Sequence, residues 1–474
     1  MAATVEVRSR SRSFRRGSTA PPTTPARLRR AALALLLCTA ALWGTLEFAH
    51  TSARATVSSA ETRAVPALVD TSQLAYFLAD ADRVATGSFA SGTVHLSGPG
   101  QRYQDDLKSA HQALERAAEH DATGPAGSVQ LQAIEGLIVE YTSLIEQAHA
   151  TAGQGALGAA YLSYASSLMH KPADGVLAHV WQLQAAEQQE LDRQRHSRWL
   201  APAALFGVLA PAAVTLILLV GTQRFLSSHF HRRINLPLLA ASVLLFALSC
   251  WMTVQTLHTD RAFSTACDGA LPRLTASWQA RTLAAQAAGS DALAIVETLP
   301  GQGFPNDFAT YTVPLADPAV TPAVVAAARS EEPPLHGILA GLLHAGLGTD
   351  PEHHSGERGA ALRTLQDFQQ FTEADADLRR QAAALGSDAA PASDPAMVST
   401  AVGPGGAQLG GAGAALDADL ASLTDLHRQR LADAESSARS DPGLGPALAV
   451  LCVAIAVLCL GGLWTRIDEY RAAR

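Results

Sequence analysis

Two uncharged runs near the middle of this chain limit its folding more than any other feature. Arg198 and Arg224 bracket 25 residues without a charge, and Arg233 and Asp260 bracket another 26. Either run can cross the roughly 30 Å hydrocarbon layer as a helix. The reading places spans at 199–220 and 234–257, separated by Gly221 to Arg233, which holds Arg224, His229, His231, Arg232 and Arg233 and no acid. Basic residues stay on the cytoplasmic side of a membrane. The link is therefore expected inside, with the flanking chain outside.

Two further apolar runs complete the layout. Residues 31–48 follow a basic tail, 1–30, too poor in apolar residues to form a core. Residues 443–464 precede the tail 465–474. The first run also fits a secretory signal, since Ala53-Arg54-Ala55 resembles a small-residue cleavage site; an uncleaved anchor fits the span–ectodomain–span layout that recurs later. A multi-pass protein of the cell membrane is expected, with both termini cytoplasmic. The segments placed inside hold 14 basic and 3 acidic residues, which leaves 21 basic and 40 acidic outside. That acidic exterior argues against nucleic acid as a partner and assigns the basic tail to topology and the lipid bilayer.

The outer segments carry helical periodicity. Residues 49–198 contain the stripes Leu74, Phe77, Leu78, Ala81, Val84; Leu107, Ala110, Leu114, Ala117; and Leu131, Ile134, Ile138, Tyr141, Ile145, Ala148. Such spacing gives each helix one apolar face, and a fourth stretch, Leu157 to Arg198, is broken at Lys171–Gly175. A four-helix bundle hides these faces most economically. Residues 258–442 are less regular, with prolines through 300–350 that predict short helices and loops and a glycine-rich stretch, 403–413, that reads as a flexible connector. The fold class is an all-α membrane protein with four transmembrane helices and two extracytoplasmic helical bundles in tandem. The repeat is one of architecture, without a residue-level alignment.

Chemistry-bearing motifs are few. The glycine-rich stretch lacks the Lys and Ser/Thr of a phosphate loop, and there is no zinc-protease motif, nucleophile elbow or Cys-x-x-Cys pair. His336, His344, Glu352, His353 and His354 form the one metal-like grouping, in a loop-rich region where histidines are usually solvated. Asp80 and Asp82 cannot share one helix face, so a solvated face is expected there, with one carboxylate capping a neighbour. Cys267 reads as a buried small hydrophobe. The spans have no internal charge, which disfavours a transporter, and the pieces placed inside are too small to fold as a kinase or cyclase. The chain is read as non-enzymatic, without cofactor or catalytic residues. Glu187, Glu190, Asp192, Arg193 and Arg195 form a charged stalk that, with Pro211 in the following span, is a candidate coupling helix. The link residues Arg224, His229, His231, Arg232 and Arg233 are the candidate output surface.

Tyr76-Phe77-Leu78-Ala79-Asp80-Ala81-Asp82, followed by Ala85, Phe89 and Gly92, resembles the Leu-Ala-Asp-Ala-Asp helix of the GlnX family of actinobacterial membrane proteins. Those proteins are associated with the glutamine-binding lipoprotein GlnH and the soluble kinase PknG. The likeness of layout extends over nearly the whole chain, and Arg281 to Gly301 is loosely similar, with Asp291 near the place of a glutamate. The resemblance implies a sensor that reads an amino-acid-binding lipoprotein outside and regulates a cytoplasmic serine/threonine kinase inside. The layout also admits a homodimer, and the rival reading is a structural or scaffold protein of the cell envelope.

Overall fold

The computed structural model describes residues 24–92, 99–195, 202–230, 235–299, 304–330, 334–345, 351–385, 390–406, 408–438 and 444–472. Among them helices supply the regular structure, with one isolated bridge, Asp317 to His336, and no strand. In chain order they are α1 (Thr24–Ser59), α2 (Val65–Ala90), α3 (Gln101–His120), α4 (Pro125–Ala150), α5 (Ala156–His170), α6 (Val176–Arg195), α7 (Pro202–Phe230) and α8 (Leu236–Ser264). They continue as α9 (Leu271–Glu297), α10 (Phe308–Thr312), α11 (Pro322–Ser330), α12 (Ile338–Ala345), α13 (Pro351–Ala384), α14 (Pro395–Val402), α15 (Leu409–Ala438) and α16 (Leu444–Ala472). The chain divides into two compact units, an apolar one from residues 1–52, 201–256 and 441–474 and a polar one from 53–200 and 257–440.

In the apolar unit α1, α7, α8 and α16 pack around Leu35, Leu42, Leu219, Leu238, Leu245, Leu448 and Ile455. Leu37, Ile217, Val243 and Val450 stay exposed, a surface suited to lipid. Three helical stretches, Arg29–Ala90, Leu236–Glu297 and Gly445–Trp464, contain apolar windows long enough to cross a membrane, and the described apolar part of α7, Leu209–Phe225, is shorter. These helices suggest a membrane protein. Pro211 lies inside α7, and its carbonyl accepts a 2.7 Å hydrogen bond from the Thr215 hydroxyl. The segment read as a link is helical from Gly221 to Phe230, because no helix breaker follows Gly221 before the described residues end.

The polar unit contains both of the stretches read as outer, and they share one body. One core joins α2, α3, α4, α5 and α6, and the stretch split at Lys171–Gly175 gives α5 and α6. A second core joins α9 to α15, with Phe368, Phe371, Leu378, Leu416 and Leu420 at its centre. Helices α2 and α9 pack directly on each other, and Ala285 of α9 belongs to the first core. Small side chains allow this approach: a Cβ on Gly289 of α9 would lie 3.3 Å from the Arg83 Cα of α2. Two outer bundles connected only through the spans were expected. The alanine-rich face of α9 instead finds its partner in α2.

The repeat becomes residue-specific at two π-helical turns. Ala60–Ala64 leads into α2 and Thr265–Ala270 into α9. In each turn the last N–H reaches back five residues, Val65 to the Ala60 carbonyl and Leu271 to the Ala266 carbonyl. Each is followed at once by a proline, Pro66 or Pro272, which has no N–H to continue the ladder. Ala64-Val65-Pro66-Ala67-Leu68 and Ala270-Leu271-Pro272-Arg273-Leu274 are thus equivalent, and both turns sit in a third core with Leu191, Phe263, Cys267 and Leu431.

The glycine-rich stretch is a tight junction where a flexible connector was expected. Helix α14 ends at Val402 and α15 starts at Leu409. Side chains at Gly410 and Gly411 would strike the Gly403 and Gly405 carbonyls, and one at Gly413 would lie 3.2 Å from Phe371. The glycines are there because backbone meets backbone.

Candidate functional site

Helix α2 runs through the middle of the polar unit, so its polar residues are buried along with its apolar ones. Asp70, Thr71, Ser72, Asp80, Asp82 and Thr86 are all buried. The solvated face expected at Asp80 and Asp82 is therefore corrected: they are 3% and 2% exposed. A carboxylate in such a place must be paired or hydrogen-bonded, and the two aspartates, pointing to different sides, solve this with different partners.

Asp82 faces the first core. It accepts from the Tyr141 hydroxyl at 3.1 Å, the Ser166 hydroxyl at 3.0 Å and His170 Nε2 at 2.9 Å. Gln286 of α9 donates its amide to His170 Nδ1 at 3.1 Å. With Nδ1 accepting, the ring proton sits on Nε2 and goes to Asp82. One carboxylate thus ties α2 to α4, α5 and, through His170, α9.

Asp80 faces the other way. Arg83 Nε donates to Oδ1 at 2.6 Å, and Arg102 Nη2 donates to Oδ2 at 2.9 Å. Burial raises the carboxyl's pKa, but the two guanidiniums outweigh it and hold the group below the usual carboxylate range. Asp106, 3.9 Å from Arg102 Nε, is pushed up to about 8 by its burial and by the charge on Asp80. Near neutral pH the cluster then carries two cations against one anion.

Arg83 and Arg102 line an open cleft of about 1080 Å³. Its walls come from the end of α2 (Gly87, Ser91), from α9 (Ala288, Ala292) and from the α14–α15 junction (Val398, Ser399, Val402, Gly410). Both halves of the sequence build it.

Of three further networks, the first joins the two halves, and the other two lie within the second half. Arg281 of α9 donates to Asp417 through Nε at 2.7 Å and Nη2 at 3.2 Å, and its guanidinium lies 3.9 Å from the Tyr76 ring centroid and 4.8 Å from that of Trp278. The Tyr76 hydroxyl donates to the same aspartate at 3.0 Å. Asp291, near the expected glutamate position, accepts from Arg379 at 3.1 Å and is raised to about 9 by its burial and by Asp375. Glu357 is held below its ordinary range, against burial, by the His427 hydrogen bond and by Arg430 and Arg273.

The residues of the candidate coupling helix divide between one buried position and several paired ones. Glu187 is fully buried; its Oε2 accepts from Thr71 at 2.9 Å, and burial lifts its pKa to about 8. It faces inward because α6 packs on α2. Glu190 pairs with Arg193 at 2.8 Å, and Arg195 pairs with Asp192 at 3.6 Å and with Asp268 of the second π turn. Arg224 is exposed on α7. The His229 side chain, and His231, Arg232 and Arg233 entirely, lie outside the described residues, as do the side chains of Glu352, His353 and His354. Among the described residues no group of three or more potential metal ligands converges. Cys267 is buried and its thiol is pushed up to about 12 by burial.

The sequence reading singled out Asp80 and Asp82 but missed His170, Arg102, Arg281 and Gln286. The available signal was the lack of a polar face on α2 and α9, which marks helices buried all round. No curated protein and no solved structure matches this chain. Residues 56–196, less than a third of the chain, match the family described as the actinobacterial sensor domain, and this likeness supports an actinobacterial sensor protein.

Proposed function

We propose that the chain is a non-enzymatic membrane sensor that relays extracytoplasmic amino-acid status to a cytoplasmic serine/threonine kinase, with an amino-acid-binding lipoprotein as its outer partner. The observation that carries this reading is the pairing of α2 with α9. Each continues, through its own π turn, a helical path that begins in an apolar segment, Arg29–Ala90 in one case and Leu236–Glu297 in the other. The two paths meet at Gly289 and Arg83 beside the cleft. A ligand or partner that shifts this packing acts on both paths at once, and π turns inside helices are frequent at functional sites. The sensor-domain likeness supports the role; the resemblance of Tyr76 to Asp82 to the GlnX family supports the partners.

The test is in-cell photo-crosslinking from Val139, an exposed apolar position on α4, together with crosslinks between α2 and α9, each with and without added amino acid. Capture of a binding lipoprotein and an amino-acid-dependent change in the α2–α9 crosslinks are expected. An unchanged crosslink pattern sinks the sensor reading and leaves an envelope scaffold.

A further inference from the structure

We propose that the cleft between α2, α3, α9 and the α14–α15 junction is a binding site for a small organic carboxylate, gripped by Arg83 and Arg102. The inference deepens the sensor reading and rests on it for the consequence of occupancy, though not for the binding itself.

Geometry carries the argument. Arg83 engages Asp80 through Nε and Nη2, and Arg102 does the same. Neither Nη1 has a protein partner among the described residues. Asp80 is buried and shared, so it serves as the anchor that fixes both guanidiniums, and fixed guanidiniums are effective carboxylate binders. The Arg102 side chain is 56% exposed, open to a ligand without rearrangement.

Backbone dipoles mostly agree. Pro99 and Arg102 at the start of α3, Pro395 at the start of α14 and Gly410 at the start of α15 all line the cleft. Helix N-termini favour an anion. The C-terminal ends of α2 and of α14 (Val402, Gly403) also line the cleft and oppose this, and the guanidinium of Arg83 on α2 offsets them.

The surplus of one positive charge also selects among anions. A monoanionic carboxylate matches it, whereas a phosphate dianion would exceed it. The remaining wall suits a short carbon skeleton: Ala288, Ala292, Val398 and Val402 are apolar, and Ser399, whose oxygen accepts from Gln408 at 3.0 Å, keeps its own proton to donate. A bound carboxylate would bridge residues of α2 and α3 to those of α9 and α14, stabilising one arrangement of the two long helical paths.

The experiment uses the full chain in lipid nanodiscs and calorimetric titration with L-glutamate, L-aspartate, butyrate, succinamide and inorganic phosphate. At least one carboxylate should bind, with succinamide and phosphate inert. Arg102→Gln should weaken that binding about 10- to 100-fold, the loss of one charge-assisted contact, and Arg102→Lys should restore part of it. Arg116→Gln, which breaks a comparable pair with Asp70 away from the cleft, should leave affinity unchanged. Circular dichroism melting of each variant separates lost binding from lost folding. Binding of none of the carboxylates, binding of phosphate alone, or carboxylate binding indifferent to both Arg102→Gln and Arg83→Gln overturns the proposal. Amino-acid-dependent crosslinks that survive Arg102→Gln would remove the site and leave the sensor. Carboxylate binding without any crosslink change would leave the site and remove the sensor.

Discussion

His170 Nε2 lies 2.9 Å from Asp82 Oδ2, while the other nitrogen of the same ring accepts from Gln286 of α9. This single imidazole closes a chain of hydrogen bonds from α2 across α5 to α9. Asp82 is 2% exposed and takes donors from Tyr141 and Ser166 as well. Removing it leaves two buried donors, Tyr141 and Ser166, and the partly buried His170 without an acceptor. Asp82→Ala should therefore cost about 3–5 kcal/mol, and the melting temperature of the purified protein should fall by several degrees. Asp82→Asn keeps the shape and one acceptor oxygen and should cost less. Equal melting of Asp82→Ala and the parent would show that the network contributes nothing.

Arg281 offers a sharper test of how α2, α9 and α15 are joined. Lysine would retain its charge but lose both the two-pronged contact with Asp417 and the stacking on Tyr76. Arg281→Lys is expected to cost about 1–3 kcal/mol. In a double-mutant cycle with Asp417→Asn, the two changes should be strongly non-additive, because the second removes what the first had already lost. Additive effects would mean that the pair is not coupled.

Much of the local structure was legible in the sequence. The stripe Leu131, Ile134, Ile138, Tyr141, Ile145, Ala148 is buried at every position, and the break at Lys171–Gly175 separates α5 from α6. Periodicity names the face a helix hides but not the helix it hides against. The pairing of α2 with α9, joined by Gly289 and a run of alanines, therefore left no periodic mark. The same limit explains Asp80, Asp82 and Glu187. Acidic residues are read as solvated by default, and only the distant partners Arg102, His170 and Thr71 reverse that. The equivalence of Pro66 and Pro272 was visible as two Ala-x-Pro-x-Leu segments, but its meaning required the π turns.

Glu187 should make the polar unit sensitive to alkali. Its folded pKa of about 8, set by burial, lies well above the roughly 4.3 of an exposed glutamate. Between those values the folded state binds the extra proton, so stability falls as pH rises through this window and levels off above about pH 8. Asp106, at about 8, and Asp291, at about 9, act in the same direction. The melting temperature should be lower at pH 9 than at pH 6. Glu187→Gln keeps an acceptor for Thr71 without the charge, and should raise the value at pH 9 while changing it little at pH 5. A slope identical in parent and variant would refute the assignment.

The proposed output surface can be tested at the basic end of α7. Arg224 is exposed on this helix, and Gln223 next to it donates to Ser242 of α8 at 3.2 Å, which ties this end of α7 to α8. Together with Arg232 and Arg233 it supplies the positive charge of the segment, and a kinase recruited by charge would lose its grip when that charge is removed. Arg224→Ala combined with Arg232→Ala and Arg233→Ala should bring kinase-dependent phosphorylation in cells to background. The α2–α9 crosslinks should still respond to amino acid, since nothing in the polar unit is altered. Because basic residues beside an apolar span bias its orientation in a membrane, cysteine accessibility on both sides must first show that the variant inserts as the parent does. Phosphorylation at the parent level in a correctly inserted triple variant would move the output surface elsewhere.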